Sequence, residues 1–156
     1  MENMRILFIS IEGNTRYFVN KLTAYADGQH DKNKGLPTIS ATEISEQTDF
    51  TDEVDPYFCF VPTYLDGGNG IDTGVKELMT NVMGEYISFH NNARKLMGVV
   101  GSGNRNFNEQ YCLTAKRYGK LYDAPFVADF ELRGTAADEI RVYRRLVETM
   151  QLYEAK

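Results

Sequence analysis

The stretch KLMGVVGSGNRNF, residues 95–107, decides the fold of this chain. Residues 96–100 are apolar over the length of a buried strand, and the run then breaks off into glycine, serine and asparagine. In an open α/β sheet, ligands bind outside the carboxyl ends of the strands. Glycines let the backbone approach a ligand, while asparagine amides and a phenylalanine ring offer polar and flat contacts. We therefore predict a ligand-contacting loop, because a plain turn needs the glycines but neither the amides nor the ring.

Strand-length apolar runs alternate with helical repeats along the rest of the chain. Further strands are predicted at residues 5–10, 38–44, 57–61 and 126–132. Helical spacing is seen in four sets of residues. These are Phe18, Leu22 and Tyr25; Val75, Leu78, Met79 and Val82; Tyr111, Ala115, Tyr118 and Tyr122; and Ile140, Tyr143, Leu146, Val147 and Met150. This alternation predicts a doubly wound parallel sheet, and five strands favour the order 2-1-3-4-5.

Two polar stretches join the first three strands. Residues 28–37 are predicted to be a polar connection after the first helix. Residues 45–56 are acidic and only weakly periodic, so we predict a short or absent helix between strands 2 and 3. Toward the end of the chain, Thr135 followed by Asp138 predicts a capping box at the start of the last helix.

Length, net charge and composition limit which class of protein this chain can belong to. A chain of 156 residues suits one domain, residues 1–156, and the net charge of −5 argues against nucleic acid or an anionic membrane as partner. No apolar run approaches the ~18 residues of a membrane span. Cys59 and Cys112 are expected to be reduced thiols in a cytoplasmic protein. We expect no metal site, because the histidines and cysteines lack metal-ligand spacing.

The end of strand 1 reads SIEGNT, residues 10–15, and leads into a helix. Hydroxyls at Ser10 and Thr15, the Asn14 amide and the flexible Gly13 are suited to surround a phosphate at the helix N-terminus. A P-loop is excluded because no Gly-Lys-Ser/Thr follows, and a single glycine excludes a dinucleotide fingerprint. The alternative is that Asn14 or Thr15 only caps the helix.

The end of strand 3 reads PTYLDGGNG, residues 62–70. Tyr64 is suited to form a wall against a ring, and the Gly67 and Gly68 peptides have the freedom to turn toward it. In isolation, this segment is better interpreted as an ordinary mobile glycine-rich loop. Three such loops at one sheet edge, however, predict a mononucleotide with a large planar head, and FMN fits that description best.

Four segments together resemble one family. SIEGNTRYF (10–18), PTYLDGG (62–68), GSGNRNFNEQYC (101–112) and FELRGT (130–135) look like the NrdI family, flavodoxin-like activators of class Ib ribonucleotide reductase. The likeness extends from about Met4 to Val142. It implies that the chain is a single flavodoxin-like FMN-binding domain with a five-stranded doubly wound sheet.

The resemblance also implies the site residues. The phosphate loop is Ser10, Glu12, Gly13, Asn14 and Thr15; the Glu12 side chain departs from the hydroxyl-rich pattern and is expected to point outward while its N–H serves the anion. The ring contacts are Thr63, Tyr64, Asp66, Gly67, Gly68, Asn104, Asn106, Phe107 and Tyr111, with Glu131 at the edge. Cys112 lies near the flavin or packs as a small apolar side chain. Arg105 and Arg133 either place positive charge near the ring or face solvent.

The activity that the resemblance implies belongs to the flavin, with no catalytic side chain. Reduced FMN reacts with O₂ to supply superoxide or peroxide for assembly of the dimanganese-tyrosyl radical cofactor in the reductase small subunit. Such a protein is an activator rather than a turnover enzyme on an organic substrate, and it needs a flavin reductant that the sequence does not identify. The alternatives are a flavodoxin-type single-electron carrier and a mononucleotide-binding protein without flavin.

Overall fold

The computed structural model describes residues 3–10, 13–63, 81–103 and 112–155. The strands are β1 Asn3–Phe8, β2 Thr38–Glu43, β3 Tyr57–Pro62, β4 Leu96–Gly103 and β5 Phe126–Glu131. The helices are α1 Asn14–Lys32, α2 Asn81–Ser88, α3 Leu113–Leu121 and α4 Ala136–Glu154. The strands pair in parallel in the order β2-β1-β3-β4-β5, so the predicted sheet is confirmed. No helix in these segments is long and apolar enough to cross a membrane.

Each face of the sheet carries its own hydrophobic core. On one face, Ile6 and Phe60 of the sheet cluster with Phe18 of α1 and Leu146 of α4. On the other face, Cys59 and its neighbours cluster with residues of α2 and α3. Alternate residues of a strand point to opposite faces, so a strand covered on both sides must be apolar throughout. All six residues of β3 are accordingly buried.

The predicted absence of a helix between β2 and β3 is confirmed, because residues 44–56 contain none. A buried polar network holds this connection instead. The Glu53 carboxylate accepts hydrogen bonds from Arg5 Nη2 at 3.2 Å and from Tyr86 Oη at 2.6 Å. The Glu53 backbone N–H donates to Asn92 Oδ1 at 2.7 Å, and the Asn92 amide donates to the carbonyls of Thr51 and Tyr86. These bonds satisfy buried backbone groups that a crossover helix would have satisfied internally.

Two predicted boundaries are wrong. Residues 28–32 continue α1 rather than forming a connection, since one glycine costs a helix only about 1 kcal/mol and Tyr25 in the preceding turn packs against Tyr143. Residues 101–103 belong to β4, because they pair with both β3 and β5. The periodicity also placed Ile140 in the buried stripe of α4, but this side chain is 43% exposed.

Candidate functional site

Helix α1 begins at the carboxyl edge of the sheet without a side-chain cap. Its N-cap is Gly13, whose φ of 89° lies in the left-handed region, and neither Asn14 nor Thr15 caps the helix. The first turn holds no acidic residue, and the Arg16 backbone N–H donates to Ser10 Oγ at 3.2 Å. A helix N-terminus whose N-cap is a glycine, with a nearby hydroxyl and no carboxylate in its first turn, is suited to an anion.

Ser102, at the end of β4, connects this helix start to the neighbouring strands. Its Oγ lies 3.4 Å from Thr15 Oγ1, and both residues are buried. Its carbonyl accepts a hydrogen bond from the Thr63 N–H at 3.0 Å. Ser102 therefore ties together the ends of β3 and β4 and the first turn of α1. Sequence reasoning missed this residue, although it lies within the segment that we singled out first.

Thr63 also fixes the start of α3. Its Oγ1 accepts a hydrogen bond from the Thr114 N–H at 2.9 Å, in a buried position. The Thr114 hydroxyl is fully buried, and among the described residues its Oγ1 has no hydrogen-bond partner. The end of β3 and the N-terminus of α3 are thus joined by the Thr63–Thr114 hydrogen bond. Thr114 was not among the predicted site residues.

Gly101 allows close packing of α3 on β4, a role that the sequence interpretation did not include. A Cβ added at Gly101 would lie 2.7 Å from Ala115 Cβ and 2.9 Å from Cys112 Cβ. Only a glycine lets α3 lie this close to β4. Cys112 is fully buried, has a φ of 57° and immediately precedes α3. Neither Cys112 nor Cys59 takes part in a disulfide.

The turn after β5 forms an open groove of about 620 Å³ with the start of α1. Its lining consists of Asn14, Glu131, Leu132, Arg133, Gly134, Thr135 and Asp138. Thr135 and Asp138 form the predicted capping box of α4. Burial alone would raise the pKa of Asp138, but hydrogen bonds from Arg141 and from Thr135 outweigh it and hold the pKa below its ordinary value.

Gly134 shapes this turn. Its φ is +71°, and a Cβ placed there would lie 2.4 Å from Phe18 Cδ1. The Phe18 ring stacks on Phe130, with ring centres 3.8 Å apart. Gly134 therefore allows the turn to close over the paired rings, which accounts for the glycine in FELRGT.

Arg133 contacts the first turns of α1. Its Nε donates to Asn14 Oδ1 at 3.4 Å, and its guanidinium carbon lies 5.1 Å from the centre of the Tyr17 ring. Sequence reasoning placed this charge either near a ring or in solvent. The side chain is exposed and lies beside the residues predicted to hold a phosphate, and no local sequence signal pairs it with Asn14 or Tyr17.

The carboxyl edge brings together the predicted residues that the structure describes. Ser10, Gly13, Asn14 and Thr15 lie at the start of α1, Thr63 and Cys112 lie by α3, and Glu131 lies in the groove. The remaining predicted contacts lie outside the described residues: Glu12, Tyr64, Asp66, Gly67, Gly68, Asn104, Asn106, Phe107 and Tyr111. Within the described segments, no three His, Cys, Asp or Glu side chains are grouped to hold a metal.

Comparison with known proteins gives one family. The family model described as "NrdI Flavodoxin like" matches residues 6–144. A "Putative NrdI-like protein" of Streptococcus pyogenes serotype M18 is 44% identical over 148 residues, which are 94% of either chain. "Protein NrdI" of Wigglesworthia glossinidia brevipalpis is 34% identical over 138 residues, covering 88% of this chain and 83% of that protein.

The fold likeness extends to solved structures. A short-chain flavodoxin associated with a bacterial microcompartment superposes with a TM-score of 0.68 at 17% identity, over 97% of this chain and 99% of that one. The described sheet is thus a flavodoxin fold, and its strand order agrees with that likeness. From the family model and these relatives together, the chain belongs to the NrdI flavodoxin-like family.

Proposed function

We propose that this chain, as a single domain of residues 1–156, binds FMN at the carboxyl edge of its sheet. When bound here and reduced by a separate flavin reductant, FMN would supply superoxide or peroxide from O₂ for the dimanganese-tyrosyl radical cofactor of the class Ib ribonucleotide reductase small subunit. The observation that carries the proposal is the start of α1, where the Gly13 N-cap has no side chain and the hydroxyls of Ser10 and Thr15 lie close by, in a chain of the NrdI family. The donor set consists of hydroxyls and amides, which fit a phosphate.

The protein's part in this activity is binding and orientation. The first turn of α1 and Ser10 hold the phosphate end, and the Thr15–Ser102 pair fixes that turn to β4. Thr63 fixes the start of α3 behind the proposed ring site. Ring contacts from Tyr64, Asn104 and Phe107 are part of the same proposal, although these residues lie outside the described segments.

The second candidate function is single-electron transfer between proteins. The fold shared with flavodoxins favours it, as seen in the superposition on a short-chain flavodoxin. The two candidates differ in partner and product: the activator needs O₂ and a manganese-loaded small subunit, whereas the carrier reduces another redox protein directly. A protein that binds no flavin would contradict both.

The first test is a fluorescence-quenching titration of the flavin-free protein with FMN. We expect one FMN per chain. In the proposed site the Thr15 hydroxyl donates to the phosphate while it accepts from Ser102, so we expect Thr15→Ala to weaken binding about tenfold, since a hydrogen bond to a charged group contributes about 1.5–3 kcal/mol. Thr15→Ser keeps the hydroxyl and is expected to retain most of the affinity. The matched control is Thr23→Ala, which removes a hydroxyl bonded to the Val19 carbonyl further along the same helix. Flavin-free protein that does not respond to FMN would exclude this function.

A further inference from the structure

A cation on the turn after β5 is held against the beginning of α1. The Arg133 Nε donates to Asn14 Oδ1 at 3.4 Å, and the guanidinium lies over the Tyr17 ring at 5.1 Å. Asn14 is the first residue of α1. Tyr17 lies in the first turn, and the Tyr17 N–H donates to the Gly13 carbonyl. Two contacts on one helix end fix the guanidinium there, although the side chain is exposed.

The charge of Arg133 is not neutralised by either contact, because an amide and an aromatic ring carry no net negative charge. The other cation in the first turn of α1, Arg16, is committed elsewhere. Its guanidinium makes two hydrogen bonds of 2.7 Å to the Glu43 carboxylate. Of these two cations, Arg133 is therefore the one that adds positive potential to the N-terminus of α1.

The two carboxylates of the groove differ in their roles. Asp138 accepts hydrogen bonds from the Thr135 N–H and from Arg141, so its charge is bound within the start of α4. Glu131 lines the same groove, at the end of β5. The Glu131 carboxylate disfavours binding of an anion at its own position in the groove. The Arg133 guanidinium lies beside Asn14, at the start of α1.

We infer that Arg133 is a specificity-determining residue for the phosphate of the mononucleotide, so that it favours a phosphorylated flavin over an unphosphorylated one. This inference rests on the proposed function. The helix N-terminus attracts a phosphate through its dipole, and a guanidinium held beside it strengthens that attraction without contacting the ring system. The same chemistry gives no advantage to riboflavin, which has a hydroxyl in place of the phosphate.

The test measures the dissociation constants of FMN and riboflavin by fluorescence quenching at low and high ionic strength. Arg133→Gln is expected to weaken FMN binding about fivefold to tenfold and to leave riboflavin binding unchanged, because only the phosphate feels the lost charge. Added salt is expected to weaken FMN binding more for the natural protein than for Arg133→Gln. Arg133→Lys is expected to be intermediate, since it keeps the charge but loses the planar stacking on Tyr17.

The matched control is Arg144→Gln, which makes the same change of net charge at an exposed position further along α4. It is expected to leave both dissociation constants unchanged. Thermal unfolding of each variant shows whether the fold is retained. If Arg133→Gln weakens both flavins equally, or neither, the inference is wrong while the proposed FMN site stands. If the natural protein binds no FMN, the proposed function fails and the inference fails with it.

Discussion

Replacing Gly134 with alanine is expected to lower the free energy of unfolding by about 3 kcal/mol. A left-handed backbone costs a non-glycine residue about 1–2 kcal/mol, and overpacking a filled core costs about 1–3 kcal/mol. Both costs apply at Gly134, because its φ is +71° and the new Cβ would lie 2.4 Å from the Phe18 ring. The ring cannot move away freely, since it stacks on Phe130. Urea denaturation followed by circular dichroism measures the change.

Gly28→Ala is the matched control for this substitution. Gly28 lies within α1, and a Cβ added there meets nothing within 4 Å. Alanine at this position is expected to stabilise the protein by about 0.5–1 kcal/mol, because it favours the helix and restricts the unfolded chain. Equal effects of the two substitutions would show that the turn does not depend on Gly134.

Replacing Glu53 with glutamine is expected to cost about 2–3 kcal/mol of stability at neutral pH. The side chain of Glu53 is 4% exposed, and its carboxylate joins Arg5 to Tyr86. Glutamine keeps the shape but leaves the guanidinium of Arg5 without its counter-charge, and losing one partner of a buried pair is strongly destabilising. The exposed Glu46 lies on the same connection, so Glu46→Gln is the control, with an expected effect within about 0.5 kcal/mol.

The stability that the Arg5–Glu53 pair contributes is expected to decrease in acid. Burial by itself would raise the pKa of Glu53, but the hydrogen bonds from Arg5 and Tyr86 and the attraction of the guanidinium outweigh it, so the pKa is lowered. A carboxylate with a lowered folded-state pKa stabilises the fold above its unfolded-state pKa, and that contribution is lost as the pH falls through the folded-state value. The stability difference between the natural protein and Glu53→Gln should therefore shrink in acid. A difference that stays constant from neutral to acidic pH would contradict the assigned ion pair.

The sheet and its strand order were predictable because the central strands β3 and β4 are covered on both faces and have unbroken apolar runs, which alternate with helical segments. Residues 57–61 are an example, and all of them are buried. Strand and helix ends were less predictable, since they depend on tertiary contacts. Residues 101–103 resemble a loop in composition but are held as strand by β3 and β5. The connection at residues 44–56 was correctly predicted to lack a helix, but its ion pair joins residues 48 positions apart.

The candidate site was predictable where local sequence carries the chemistry, as in the hydroxyls and glycine before α1. Contacts between distant segments had no such signal. Ser102 meets Thr15 across the sheet edge, and Arg133 meets Asn14 although 119 positions separate them. Gly101 was assigned to ligand approach because composition does not distinguish that role from close packing under α3.

The proposed activity is tested most directly by the radical yield of a manganese-loaded class Ib small subunit. The FMN-loaded, reduced protein is mixed with that subunit, O₂ is admitted, and the tyrosyl radical is quantified by electron paramagnetic resonance. Parallel samples receive added peroxide alone or a reduced carrier flavodoxin. We predict a radical yield well above both controls. A yield no higher than that of either control would contradict the activator function and favour single-electron transfer.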